Sequence, residues 1–306
     1  MASGGPRALL VATMALTFAA CAASADEAAR PNALDDDAIT VGSFDFAESV
    51  LLAEIYSQAL EHAGLTVERA FQLGPREFVG PALSVGLIEL VPEYAGSAAT
   101  FVHRGETPPS SDLDATYERL VEGLQGRPVV ALEPSPAKNA NAFVVAKSTA
   151  QDRGLQALSD IAAVADDLIF GGPPECQRRA LCLVGLERVY GIEFGTVVAL
   201  EAGPLIEQAL RDGGIDVGLL FTSDAAMLGA DFVELRDDLG LQPSENITPL
   251  VRTEVLARWG DVAGTIDAVS AELTTPRLRL LNAEVGGDIT RVEEIAARWL
   301  TEQELT

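Results

Sequence analysis

From residue 38 onward the chain alternates short β-branched runs with amphipathic stretches of helical period. That alternation restricts the fold to helices packed on mostly parallel sheets, an α/β architecture. Ala38-Ile-Thr-Val-Gly42 reads as a strand. A helix from about Glu48 to Ala63 follows, with Asp45 as its N-cap and Glu48 three residues further on. Leu51, Leu52, Ile55, Ala59 and Leu60 give it an apolar face, and Gly64 stops it. The same reading gives a strand at Leu65–Phe71, a helix at Arg76–Val85 and a strand at Ile88–Val91. Beyond a Pro/Ser-rich connection at 107–111 come a helix at Leu113–Leu124 and a strand at Pro128–Leu132.

Two proline-bearing segments interrupt the alternation. Glu133-Pro-Ser-Pro136 is held extended by its prolines and continues neither a helix nor an inner strand, so it is expected to cross between lobes. A second α/β set runs from Ala142 to about Val233. Phe232-Val-Glu-Leu-Arg-Asp-Asp238 with Leu241-Gln-Pro243 is expected to cross back. The remainder, Ile247–Val251 and helices to about Leu300, returns to the first lobe. The expected organisation is residues 38–134 plus 240–306 as lobe I and 135–239 as lobe II. Trp259, Trp299, Tyr56, Tyr117 and Tyr190 sit in helical patterns and read as packing residues.

Ligands of open α/β sheets sit beyond the carboxyl ends of the strands. Two apolar runs break off there into small and polar residues, each carrying an aromatic: Ile88-Glu-Leu-Val-Pro-Glu-Tyr-Ala-Gly-Ser97 and Gly218-Leu-Leu-Phe-Thr-Ser-Asp224. Tyr94 and Phe221 are therefore expected at facing cleft edges. An aromatic grip suits a cation or an apolar body and needs no bond chemistry. Enzyme readings find little support: the chain shows no Gly-rich phosphate loop, nucleophile elbow or metal-ligand cluster, and its carboxylates show no spacing that selects an acid–base pair. No cofactor or metal is expected.

The chain of 306 residues carries 46 Asp and Glu against 21 Lys and Arg, a formal charge of −25. Such a surface repels phosphates, so nucleic acid is not an expected partner. At the N-terminus Arg7 precedes a weakly apolar run, Ala8–Ala20, too short to span a bilayer, followed by Cys21. Residues 1–20 read as an export signal and 21–37 as a tether. A cysteine directly after Ala19-Ala20 resembles a bacterial lipoprotein signal, which implies that Cys21 is lipidated and anchors the chain at the outer face of the cytoplasmic membrane. The alternative is an ordinary secretory signal and a free periplasmic or extracellular protein. In an exported chain Cys176 and Cys182, six residues apart, read as a disulfide.

Several motifs in order resemble the substrate-binding proteins of ABC importers for osmoprotectants such as glycine betaine, choline, carnitine and proline betaine. They are Gly42-Ser-Phe-Asp-Phe-Ala-Glu48, Gly74-Pro-Arg-Glu77, Pro92-Glu-Tyr-Ala-Gly-Ser97, Pro136-Ala-Lys-Asn-Ala-Asn-Ala142, Phe221-Thr-Ser-Asp224 and Asp237-Asp-Leu-Gly-Leu-Gln-Pro-Ser-Glu-Asn246. The resemblance implies a type II periplasmic-binding fold, two lobes joined by two crossings with the ligand between them. It implies a monomer that captures a small molecule and passes it to ABC permease subunits with a separate ATPase. Carried over by position, Tyr94 and Phe221 belong to an aromatic cage, with Ser97, Thr222 and Asp224 beside them. Asn139 and Asn141 are polar contacts, and Arg178, or its neighbour Arg179, is a carboxylate partner. Phe44 stands where the family has lysine, which removes a carboxylate donor and offers an aromatic wall. Asp45 lies at a helix N-terminus expected to face the cleft. With this altered cage the ligand is a quaternary-ammonium osmoprotectant, a different small amine or an aromatic molecule, and a sensor built on the same lobes is the other reading.

Overall fold

The computed structural model describes residues 37–105 and 110–306, besides Met1. The rest of the leader 1–20, Cys21, the tether to residue 36 and residues 107–109 of the Pro/Ser-rich connection lie outside the described residues. In chain order the strands are β1 (Ala38–Gly42), β2 (Thr66–Ala70), β3 (Leu90–Tyr94), β4 (Val129–Ala131), β5 (Asn141–Ala146), β6 (Ile169–Gly172), β7 (Thr196–Ala199), β8 (Val217–Phe221), β9 (Phe232–Glu234) and β10 (Ile247–Arg252). They form two five-stranded sheets, β2-β1-β3-β10-β4 and β7-β6-β8-β5-β9. Each sheet is the centre of its own lobe, which is the two-lobed α/β fold expected.

The sheets are mixed, a correction to the mostly parallel expectation. In each, three strands run parallel (β2-β1-β3 and β7-β6-β8), and the next one, β10 or β5, runs against them. The reason lies in the connections. β5 and β10 are the strands the chain enters directly from the other lobe, so no helical crossover sets their direction. Central strands β1, β3 and β10 are buried along their whole length. Such strands read as continuous apolar runs, which is why they are plain in the sequence.

α1 (Ala47–His62) begins within a residue of its expected start and lies in the middle of lobe I. It is buried nearly all round, not along one face, because helices Val262–Glu272 and Val292–Glu302 pack on it from the outside. Its polar residues therefore need partners. Glu54 accepts from Arg69 at 2.7 Å and from Gln58 at 2.7 Å, and the Tyr56 hydroxyl meets Ser270 Oγ at 2.9 Å. Trp299 is buried in the same core, and Trp259 packs at its edge. Asp45 does not cap α1. The N-cap position is Phe46, no side chain caps the first turn, and Glu48 is engaged elsewhere.

The two crossings run side by side and hydrogen-bond to each other. Ser135 N donates to Ile247 O at 2.8 Å, Ile247 N to Ala137 O at 3.0 Å and Asn139 N to Glu245 O at 2.9 Å. Asn246 Nδ2 adds a bond to Ser135 O at 2.8 Å. The return crossing starts later than expected, because Phe232–Glu234 is an edge strand of the second sheet, paired with β5.

Helix α2 (Arg76–Val85) is followed by α3 (Ala95–Val102), whose Gly96 lies directly against the return crossing, and a Cβ there would stand 2.7 Å from Pro243 Cβ and 3.1 Å from Ser244 O. A proline ring and a backbone carbonyl cannot swing aside. Gly96→Ala is expected to lower stability by about 1–3 kcal/mol, as overpacking of a tight contact does. Chemical denaturation checks this, and an unchanged midpoint would show that the crossing yields freely.

Candidate functional site

A cleft of about 1100 Å³ lies at the carboxyl ends of β1, β3 and β8 and is bounded by the crossings. Its lobe I wall is built by the turn that follows β1. Ser43 Oγ accepts from Gln72 N at 2.8 Å, and Phe44 N donates to Ser49 Oγ at 2.9 Å, so the turn is pinned on both sides. Phe44 and Phe46 stack with ring centroids 5.8 Å apart and planes 3° apart, and Tyr94 closes the group at 6.4 and 6.0 Å. Phe46 is 41% exposed and Phe221, across the cleft on lobe II, 37%. Both are large apolar rings left open where a ligand would sit. Phe44 is different. It is buried, and the Arg76 guanidinium lies 5.1 Å from its ring centroid while bonding Glu93 through two nitrogens at 2.8 and 2.9 Å. The protein supplies Phe44 with its own cation.

Behind the wall sits Glu48, buried in the first turn of α1. It accepts from the Tyr94 hydroxyl at 2.8 Å, Asn139 Nδ2 at 2.8 Å and Asn282 Nδ2 at 2.6 Å. Burial and the Glu48 charge push the Tyr94 hydroxyl well above its ordinary range, so it stays a donor at every physiological pH. Asn139 has its amide nitrogen fixed on Glu48 and its Oδ1 buried with no hydrogen-bond partner among the described residues. Asn282 comes from helix Thr275–Val285 and also reaches Ser223 O on lobe II at 3.0 Å. Arg279 of the same helix donates to Thr222 O at 2.6 Å.

Glu245 on the return crossing accepts from Ser97 N at 3.0 Å and Ser97 Oγ at 2.7 Å, placing a carboxylate at the N-terminus of α3. Asp224 does the same for the end of β8, accepting from Phe221 N at 2.8 Å. Burial raises both carboxyls, Glu245 to about 7 and Asp224 to about 6. Nearby charges of both signs contribute less: Arg76 and Glu93 around Glu245, and Glu48, Glu207 and Arg279 around Asp224.

Of the residues read from the sequence, Phe44, Asp45, Tyr94, Ser97, Asn139, Asn141, Phe221 and Asp224 all line the cleft. Asn141 binds Leu181 O at 3.2 Å and Gln242 Oε1 at 3.1 Å and so fastens the rim to the return crossing. Two expected positions fall elsewhere. Thr222 is buried behind the cleft, where its hydroxyl accepts from Ala140 N and donates to Lys138 O; it fastens β8 to the first crossing. Arg178 is exposed and outside the lining, and Arg179 takes the rim position, 3.4 Å from Glu175. Cys176 and Cys182 lie beneath this loop with Cα atoms 5.2 Å apart, within disulfide reach. Glu48, Arg76, Gln242, Glu245 and Asn282 were not singled out by sequence. Glu48, Arg76, Gln242 and Glu245 all stand inside the family-like motifs, but Asn282 sits on an ordinary helix with no local signal.

The family described as the substrate binding domain of ABC-type glycine betaine transport system matches residues 37–302. Glycine betaine-binding protein YehZ of Escherichia coli (strain K12) is 25% identical over 275 residues, covering 87% of this chain and 90% of its own. A glycine-betaine-binding protein of Pseudomonas aeruginosa is 27% identical over 281 residues, with 88% and 89% covered. Among solved structures, a glycine betaine/carnitine/choline ABC transporter crystal structure superposes with a TM-score of 0.80 at 22% identity, covering 87% and 99% of the two chains. The apo YehZ structure gives 0.74 at 25% identity, covering 89% and 100%.

The raised carboxyls of Glu245 and Asp224 make a prediction about pH. Below about pH 4 both groups are protonated in the folded and the unfolded chain and cost nothing. As pH rises toward 7 the unfolded chain ionises them first, so stability should fall across the window from about 4 to about 7. For Glu245 the loss is on the order of 3 kcal/mol at most. Denaturation midpoints followed over that window check it. Glu245→Gln should flatten the decline, and an equal slope in the variant would refute the assignment.

Proposed function

The chain belongs to the family of substrate-binding domains of ABC-type glycine betaine transport systems, and from that premise we propose that it captures a quaternary-ammonium osmoprotectant between its lobes and delivers it to a permease. The observation that carries this is the aromatic wall of Phe46 and Tyr94, with Phe221 opposite, set over buried carboxylates. An alkylated ammonium group cannot donate hydrogen bonds. It is held by ring faces and by negative charge kept out of water, the two things this cleft offers. Phe44 backs the wall with its own face covered by Arg76, so the ammonium head is assigned to Phe46, Tyr94 and Phe221. Asn139, Asn141, Ser97 and Asp224 form the polar margin.

In this reading residues 38–134 with 240–306 form lobe I and 135–239 form lobe II. The chain works outside the cytoplasm as a monomer, and separate permease and ATPase subunits complete the importer. Cys21 is the lipidated anchor, and a Cys176–Cys182 disulfide braces the loop that carries Arg179. Mass spectrometry of membrane-extracted, non-reduced protein tests both. An acylated N-terminal Cys21 and no free thiol at 176 or 182 are expected; a soluble chain cut elsewhere, or two free thiols, removes the corresponding claim.

Calorimetric titration with glycine betaine, carnitine and choline tests the main reading. At least one should bind. Tyr94→Ala and Phe46→Ala should each weaken it by about 1 kcal/mol or more, roughly fivefold or greater, through lost cation–π attraction. A protein that takes none of the three, or variants that bind as the parent does, would overturn the proposal.

A further inference from the structure

The amide groups at a strand end, or in the first turn of a helix, are where a protein normally receives an anion. In this cleft they are occupied by the protein itself. At the end of β3 and the start of α3, Tyr94 N donates to Glu93 Oε2 at 2.9 Å and Ser97 N to Glu245 Oε2 at 3.0 Å. Between them Ala95 N is bonded to Asn246 O and Gly96 N to Ser244 O, at 2.9 and 3.0 Å. At the end of β8, Phe221 N donates to Asp224 Oδ2 at 2.8 Å, Thr222 N to Ala140 O at 2.9 Å and Asp224 N to Phe221 O at 3.0 Å. A ligand carboxylate arriving at either place meets a carboxylate already seated.

The charged side chains lean the same way. Asp45, Glu48, Glu77, Glu207, Asp224 and Glu245 line the cleft against Arg76 and Arg179. Arg76 is held by both oxygens of Glu93 and stacked on Phe44, so it has little left to offer a ligand. Arg179 is 68% exposed at the rim, where water screens it. The uncapped first turn of α1 would suit an anion, but Asp45 and Glu48 stand in or beside that turn and already answer its dipole. Asn139 adds a complementary feature: its buried Oδ1 has no donor among the described residues, and a hydroxyl can supply one where a carboxylate cannot.

We propose that Glu245 and Asp224, seated in the amide clusters at the ends of β3 and β8, set the cleft to rank a quaternary-ammonium cation bearing a hydroxyl above the zwitterion that carries a carboxylate in its place. This rests on the quaternary-ammonium reading and specifies the ligand within it. Choline and glycine betaine are the natural pair of probes, because they differ only in having CH2OH or a carboxylate on the same trimethylammonium skeleton.

The experiment is parallel calorimetric titration of the protein with choline and with glycine betaine at pH 8, where both carboxyls are ionised. Choline should bind about tenfold more tightly or better, the size of one charge-assisted hydrogen bond made or opposed. Glu245→Gln and Asp224→Asn, each shown to be folded by its melting curve, should shrink that ratio by improving betaine or weakening choline. Betaine binding as tightly as choline, or more tightly, would overturn this inference while leaving the quaternary-ammonium reading intact. Binding of neither would overturn the reading itself. A ratio unchanged in both folded variants would remove Glu245 and Asp224 as its cause. Should either variant fail to fold, the ratio measured on the parent protein still decides the preference.

Discussion

Removing a carboxylate from water costs several kcal/mol unless donors replace its hydration shell. Glu48 is buried in lobe I and is given a hydroxyl and two amides. Those donors come from the end of β3, the first crossing and helix Thr275–Val285, segments far apart in the chain. Each must be in place for the charge to be tolerated, so the requirement fixes their positions relative to α1. The ring of Tyr94 is held upright in the cleft wall by its hydroxyl's bond to Glu48. Asn139 is turned by the same carboxylate, and Asn282 is drawn toward lobe II. The placement of Tyr94 in the aromatic wall is thus a consequence of satisfying one buried charge. Losing a single donor would leave that charge short and disturb wall and hinge together.

A second layer of carboxylates does different work. Glu245 and Asp224 sit at the amide clusters that close β3 and β8, and burial has raised both toward neutrality. They cost stability when ionised and gain from a cation nearby. Under the proposed function, a positively charged ligand would favour their ionised forms and so offset the cost of burying them. The large overall negative charge of the chain adds to the attraction at long range, where salt screens it within about a Debye length.

Much of this was legible in the sequence, for a definable reason. Central strands buried on both faces read as apolar runs, and their ends show as sudden changes to small and polar residues; Tyr94 and Phe221 were found that way. Two prolines within three residues marked the first crossing, because they remove too many N–H donors for a regular element, whereas inner strands β3 and β10 each accommodate a single proline, Pro92 and Pro249. What failed were inferences that depend on where a side chain turns. Asp45 and Glu48 look like a capping pair by spacing, yet Glu48 turns into the core, where three donors outcompete the backbone. Thr222 and Arg178 each lie beside a lining residue, but Thr222 follows the end of β8 in a turn that aims its hydroxyl at the first crossing, and Arg178 ends a 3-10 turn that leaves its side chain in solvent. Asn282 joins the site by tertiary packing alone, which no local pattern encodes.

The crossings bear on how such a site would act as a switch under the proposed function. Their mutual hydrogen bonds tie the two crossings together, so a hinge motion under the proposed function would bend them as a pair and favour one rotation of lobe against lobe over independent twisting. Helix Thr275–Val285 adds a third connection through Arg279 and Asn282, both bonded to backbone carbonyls of lobe II. A ligand shifts the equilibrium between open and closed forms only by the difference in its affinity for the two. Interactions with Phe46 and Tyr94 alone lie within lobe I and would be the same in either form. The interactions that would make closure depend on a ligand are those across the cleft, with Phe221 and Asp224. Under the proposed function, the exposed ring and the raised carboxyl on lobe II would convert binding into a change of shape, while the wall on lobe I would hold the cation.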